Sequence, residues 1–96
     1  MGKNNISKYD EAIWAYEKAI ELNSKDELAW NSKGIVLHNQ GKYDEAIRAY
    51  NETIKLNSSN AVAWKLMAKS LYYMDKNDDA LTAYNKAIQI DPNLSN

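Results

Sequence analysis

At 96 residues the chain has room for one small domain. Its formal net charge of −1 offers no general attraction to nucleic acid or to an anionic membrane. It has no cysteine, which excludes disulfides and thiolate metal sites, and no apolar run reaches the roughly 18 residues of a membrane-spanning helix.

Residues 1–7 are polar and predicted to fray. The start, MGKNNISKYDEA, lacks the apolar core of a signal peptide, so a cytoplasmic location is the expectation. Met1-Gly2 hints at myristoylation, but Ile6 stands where that signal needs Ser or Thr. From Lys8 to about Leu22, Tyr9, Ala12, Ile13, Tyr16, Ala19 and Ile20 recur at spacings of three and four, the mark of a helix with one apolar stripe. Asp10 and Glu11 lie in its first turn, where the positive end of the helix dipole favours carboxylates. Ser24 and Glu27 have the spacing of a capping box for the next helix.

The second helix is predicted from about Asp26 to Gln40, with Leu28, Ala29, Trp30, Gly34 and Leu37 turned inward. Gly34 lies mid-helix, where glycine costs about 1 kcal/mol relative to Ala and marks a close approach by another helix. Gly41 ends the helix with a residue suited to the left-handed cap. The third helix, Lys42 to about Leu56, repeats the first. The fourth, Ala61 to Met74, is capped by Ser59 or Asn60 and places Trp64, Ala68 and Leu71 where Trp30, Gly34 and Leu37 stood. The fifth runs from about Lys76 to Ile90 and stops at Asp91-Pro92. Residues 93–96 read as a polar tail. Connections of two to four residues make successive helices antiparallel.

The period is 34 residues. Lys42 to Ser58, KYDEAIRAYNETIKLNS, shares twelve of seventeen positions with Lys8 to Ser24 and seven of seventeen with Lys76 to Pro92. Self-similarity at a fixed period is the signature of a stacked repeat array.

These residues resemble the tetratricopeptide repeat family, whose 34-residue unit reads W-x2-L-G-x2-Y, then A-x3-F, then P. Residues 27–60 match it through Trp30, Gly34, Leu37, Ala46 and Tyr50, and residues 61–94 through Trp64, Ala68, Leu71, Ala80, Tyr84 and Pro92. Residues 8–24 match only the second helix of a preceding unit. Lys33 replaces the expected Leu, and Ser24 and Ser58 replace Pro. The resemblance implies an all-α solenoid in which five helices, in the order B-A-B-A-B, wind into a right-handed superhelix. Its concave face, lined by the A helices, binds extended peptides or partner helices in this family.

By that pattern the concave positions are Leu28, Asn31, Ile35, His38, Asn39, Val62, Lys65, Lys69, Tyr72 and Tyr73. Asn31, Ile35, His38, Lys65, Lys69, Tyr72 and Tyr73 are the candidate partner contacts, and the lysine pair, one turn apart, suits an acidic segment. The bland reading is a solvated lysine face. The carboxylate clamp of chaperone-binding members is not matched, since Asn31, Ile35 and Leu66 occupy its places. The outermost B helices offer Tyr9, Ile13 and Trp14 at one end and Leu81, Tyr84 and Ile88 at the other as candidates for self-association. Trp14 stands where later repeats carry Arg48 and Thr82. Neighbouring repeats in a longer array, a second copy, or the N-terminal tail are each able to cover it. The expected function is a protein-binding scaffold, with a self-assembly unit as the alternative.

No catalytic chemistry is expected. His38 is the only histidine, which excludes a His–His metal pair. Asp10-Glu11, Asp44-Glu45 and Asp78-Asp79 recur at helix starts and so read as dipole-compensating residues. Asp75-x-Asn77-x-Asp79 imitates a calcium loop, but Ala80 and Lys86 stand where that loop needs Gly and Glu. No cofactor is implied. Partners are expected to be proteins or peptides, without nucleic acid or membrane.

Overall fold

The computed structural model describes residues 7–95. It contains α1 (Lys8–Leu22), α2 (Glu27–Asn39), α3 (Tyr43–Leu56), α4 (Ala61–Tyr73) and α5 (Asn77–Ile90), then a short 3-10 helix at Pro92–Ser95. There is no strand among the described residues. Each helix packs mainly on its chain neighbours, and α2 also touches α4. Among the described residues α1, α3 and α5 make no comparable contact with one another, so α2 and α4 form one layer and α1, α3 and α5 the other. Stacking in one direction elongates the molecule. Its extents are 50 × 30 × 20 Å and its radius of gyration is 14.3 Å, against about 12.5 Å for a compact domain of this length.

The helix starts divide into two kinds. Ser7, Asp26 and Asn60 cap α1, α2 and α4 through side-chain oxygens that accept from Asp10, Ala29 and Ala63 backbone N–H groups at 3.0–3.1 Å. The capping box expected from Ser24 does not form, because Asp26 lies at the cap and takes its place. Ser7, expected to fray, instead starts α1, whereas the expectation for residues 1–6 falls outside the described residues. Lys42 and Lys76 precede α3 and α5 without a side-chain cap. There the preceding helix turns sharply: Lys42 N–H donates to Leu37 O at 2.9 Å and Lys76 N–H to Leu71 O at 3.0 Å. Gly41 supplies the left-handed residue for the first turn, φ 82°, and Asp75 supplies it for the second, φ 62°.

Alanine rows let the layers approach. Ala46, Ala49, Ala63, Ala80, Ala83 and Ala87 are all buried. Leu37, Tyr50 and Met67 complete the core, with Ile13, Trp30, Ile47, Ile54, Trp64, Leu66 and Leu71 packed around it. Gly34 meets Tyr50: a Cβ on Gly34 would lie 2.7 Å from the ring's Cδ1. Burial also pushes the Tyr50 phenol up to about 12.

Trp30 and Trp64 do more than fill space. Trp30 Nε1–H donates to Ser24 O at 2.9 Å, and Trp64 Nε1–H donates to Ser58 O at 3.0 Å. Each indole thus ties its helix to the turn just before it, where the family pattern has proline. Lys33 lies along the packed surface with its side chain mostly covered, its ammonium 3.3 Å from Glu17 and over the Trp30 ring. The chain after α5 is not a free tail: Tyr84 O–H donates to Ser95 O at 3.3 Å, and Leu94 is half-buried. Asn96 lies outside the described residues.

Candidate interaction surface

The surface builds from two helices whose small residues face inward and whose larger ones remain outside. On α2, Leu28 is 75% exposed, Ile35 and Asn39 are exposed, and Asn31 is half-buried with its Oδ1 unpartnered. On α4, Val62, Lys69, Tyr72 and Tyr73 are exposed and Lys65 is half-buried.

His38 is not a free contact. Its Nδ1 lies 2.8 Å from Ser70 Oγ, which is wholly buried, so the pair joins α2 to α4. Tyr73 stands edge-on to the imidazole at 5.1 Å, and Tyr43 does so at 5.0 Å from α3. Tyr72 meets Tyr73 at 6.0 Å. Burial, and then the nearby Lys69 ammonium, hold His38 below its usual pKa of 6.5. Tyr43 was not singled out in the sequence. Its signal was position, since it opens α3 directly after the Gly41 turn and is carried back beside His38.

Lys65, Lys69 and Tyr72 line a groove of about 710 Å³. Leu66 and Ala68 form its α4 wall, Ala80, Leu81 and Tyr84 its α5 wall, and Leu94 closes one side. Two sets of residues that the sequence kept apart therefore meet: the α4 members of the candidate partner contacts, and Leu81 and Tyr84 from the candidate self-association set. Asn31, Ile35 and Tyr73 do not line this groove. Of the other self-association candidates, Tyr9 is exposed and Trp14 is 62% exposed, with Lys18 Nζ 5.7 Å from its ring. Ile13 packs against the core, and Ile88 is half-buried.

The geometry thus combines stacked helix pairs, glycine and alanine at the crossings and a tryptophan bound to the turn before each of α2 and α4. Residues 5–87 match the profile of the family described as "Anaphase-promoting complex, cyclosome, subunit 3", a tetratricopeptide-type family. The chain belongs to this tetratricopeptide repeat family. No curated protein matches it in sequence. Among solved structures, MamA superposes with a TM-score of 0.85 at 27% identity, over 94% of this chain and 53% of that one. YrrB, described as a TPR protein with an unusual peptide-binding site, superposes with a TM-score of 0.84 at 28% identity, over 88% of this chain and 44% of that one. The chain therefore spans about half the length of each. The second TPR of Spaghetti (RPAP3), bound to the HSP90 peptide SRMEEVD, superposes with a TM-score of 0.84 over 88% of this chain and 79% of that one. At 20% identity it shares the fold alone. All three are tetratricopeptide proteins, and this chain has their all-α repeat fold. No described helix is long and apolar enough to cross a membrane.

Proposed function

We propose that this chain is a protein-interaction module that binds a peptide or helix of a partner across the concave face of α2 and α4. Asn31, Ile35, His38, Lys65, Lys69, Tyr72 and Tyr73 are the residues assigned to that face, and residues 27–60 and 61–94 are its two full repeats. The observation that carries the reading is apolar exposure on the two A helices. Leu28, Ile35, Val62, Tyr72 and Tyr73 all stand in solvent although they belong to an otherwise well-packed pair of helices. Contiguous exposed apolar surface with a polar rim marks protein-binding sites. A similar protein, YrrB, is described as having a peptide-binding site. His38 lies on that face and, through its bond to Ser70, also holds the seam beside Tyr73. The lysine pair makes an acidic partner the better fit.

The test is capture from a lysate by the parent and by a Leu28→Glu, Ile35→Glu variant. Both positions are exposed, so the fold survives. Loss of specific captured proteins supports the concave face, and an unchanged set removes it.

Self-assembly through the chain's ends is the second reading, favoured by Trp14 and by Leu22, which is 89% exposed. It expects a mass that climbs with concentration and falls to that of a monomer on Trp14→Arg. A constant 11.0 kDa species in the parent would sink it.

A further inference from the structure

One group of residues breaks the 34-residue repeat and meets in one place. Trp30, Leu37, Ala46 and Tyr50 return as Trp64, Leu71, Ala80 and Tyr84. By contrast, Val36, Asn39 and Tyr72 stand at the registers of Ser70, Tyr73 and His38. Ser70, Tyr73 and His38 nonetheless converge across α2 and α4, and Tyr43 joins them from the start of α3. The His38, Tyr43 and Tyr73 ring centroids lie 5.0, 5.1 and 5.3 Å apart, each ring beside the other two. A buried hydroxyl is retained where it has a partner. Ser70, wholly buried where α2 has Val36, finds one in His38 Nδ1 at 2.8 Å. That bond fixes the imidazole, and the imidazole supports both tyrosine rings.

The cluster lies inside the stack, on α2, α3 and α4, which pack on one another. Asn39, at the register of Tyr73, stays exposed although α4 packs beside α2. Tyr73 therefore owes its 54% exposure to its register on the helix. The polar rim is rich in donors. The Tyr43 and Tyr73 hydroxyls can donate, and the charge that bears on His38 is the Lys69 ammonium, which repels a cationic side chain. A carboxylate would pair with Lys69 but make no use of three fixed rings. A helix keeps its carbonyls for its own hydrogen bonds. An ordinary extended chain brings amide N–H groups that an aromatic surface leaves unpaired. A proline-rich chain brings carbonyl oxygens without those N–H groups, is already extended, and docks in aromatic-lined sites.

We propose that Tyr43 and Tyr73, held beside His38 by its bond to Ser70, form a docking platform for a proline-rich extended segment of a partner protein. The proposal rests on the concave-face reading for the kind of partner, a peptide of another protein, and adds its chemistry. Ser70 is a positioning residue, since it acts through His38.

The probe is a capped oligoproline peptide titrated into the whole protein by calorimetry, beside glycine–serine and glutamate-rich peptides of the same length. Oligoproline should bind most tightly. Tyr73→Ala, at an exposed position, should weaken it by roughly tenfold or more while circular dichroism stays unchanged. Ser70→Thr and Ser70→Val have the same shape and differ in the hydroxyl. The first should keep binding and the second should lose it several-fold. Oligoproline that binds no better than the glycine–serine peptide, or that ignores Tyr73→Ala, overturns the proposal. So does tighter binding of the glutamate-rich peptide, because Lys69 and not the rings then selects the ligand. Lysate capture that is lost with Leu28→Glu, Ile35→Glu, without oligoproline binding, leaves the concave-face reading standing and overturns this one. Oligoproline binding that Tyr73→Ala removes, beside unchanged capture, supports the platform and removes the wider face.

Discussion

The α2–α3 and α4–α5 pairs carry matching residues at matching spacing, yet the first is sealed and the second is open. Tyr50 lies in the core, whereas Tyr84, at the same register, is half-buried and spends its hydroxyl on the backbone of Leu94 and Ser95. Gly34 lets the Tyr50 ring press on the α2 backbone, whereas α4 has a methyl group at that register, on Ala68. The difference teaches that burial in a stacked fold is decided by the next helix along, since each pair can cover only one face of its predecessor.

The comparison can be broken most forcefully at the tyrosines. Tyr50→Ala should cost about 3–5 kcal/mol, as for other large buried aromatics, and leave this small domain largely unfolded. Tyr84→Ala should cost roughly half as much, because only part of its surface leaves water on folding. Urea denaturation of the two variants measures the ratio, and equal losses would mean the pairs are not differently sealed.

The glycine–alanine pair comes next. Gly34→Ala gains about 1 kcal/mol of helix propensity but forces a methyl group onto a buried ring, an overpacking cost of about 1–3 kcal/mol. A net loss is expected, although alanine is the residue found at the same register in α4. Ala68→Gly should also lose, by about 1 kcal/mol, through propensity alone. Thermal melts of both variants test this, and a stabilised Gly34→Ala protein would show that the Tyr50 ring yields.

A smaller effect lies in the turns. Asp75 holds a left-handed conformation that Gly41 adopts freely, so Asp75→Gly should stabilise by about 1 kcal/mol and Gly41→Asp should destabilise by a similar amount. Melting temperatures shifted in opposite directions are the expected result.

The smallest effect concerns pH. His38 is held below 6.5 in the folded chain, so the unfolded chain takes up the proton first as pH falls. Stability should therefore decline from pH 6.5 downward until the folded imidazole is also charged, and level off below that. Denaturation midpoints between pH 7 and 5 should flatten in His38→Gln, and an unchanged slope would place the sensitivity elsewhere.

The helices and their order were legible because they depend on local patterns: apolar spacing, carboxylates in first turns, and Gly41 and Pro92 as stops. Gly34 was legible as a close approach, though not as an approach by Tyr50. The candidate surface was less so. Asp26 displaced Ser24 as the cap of α2, a choice between two nearby oxygens that only backbone direction decides. Nothing in a one-dimensional pattern ties Trp30 to the Ser24 carbonyl, or Tyr43 to His38, because each pairing forms across a turn. The separation of Lys65 and Lys69 from Leu81 and Tyr84 into two surfaces was also an artefact of reading one helix at a time.

From its sequence alone this protein's composition, its 34-residue period, its helix-forming stripes and its family pattern were determined, since each rests on residues near one another along the chain. The tertiary structure decided that His38 is bound to Ser70, that the chain after Pro92 folds back on Tyr84, and that one groove is filled while its copy stays open. Those outcomes depend on which surfaces meet in space, and identical repeats acquire different surroundings as soon as one of them lies at the end of the described stack.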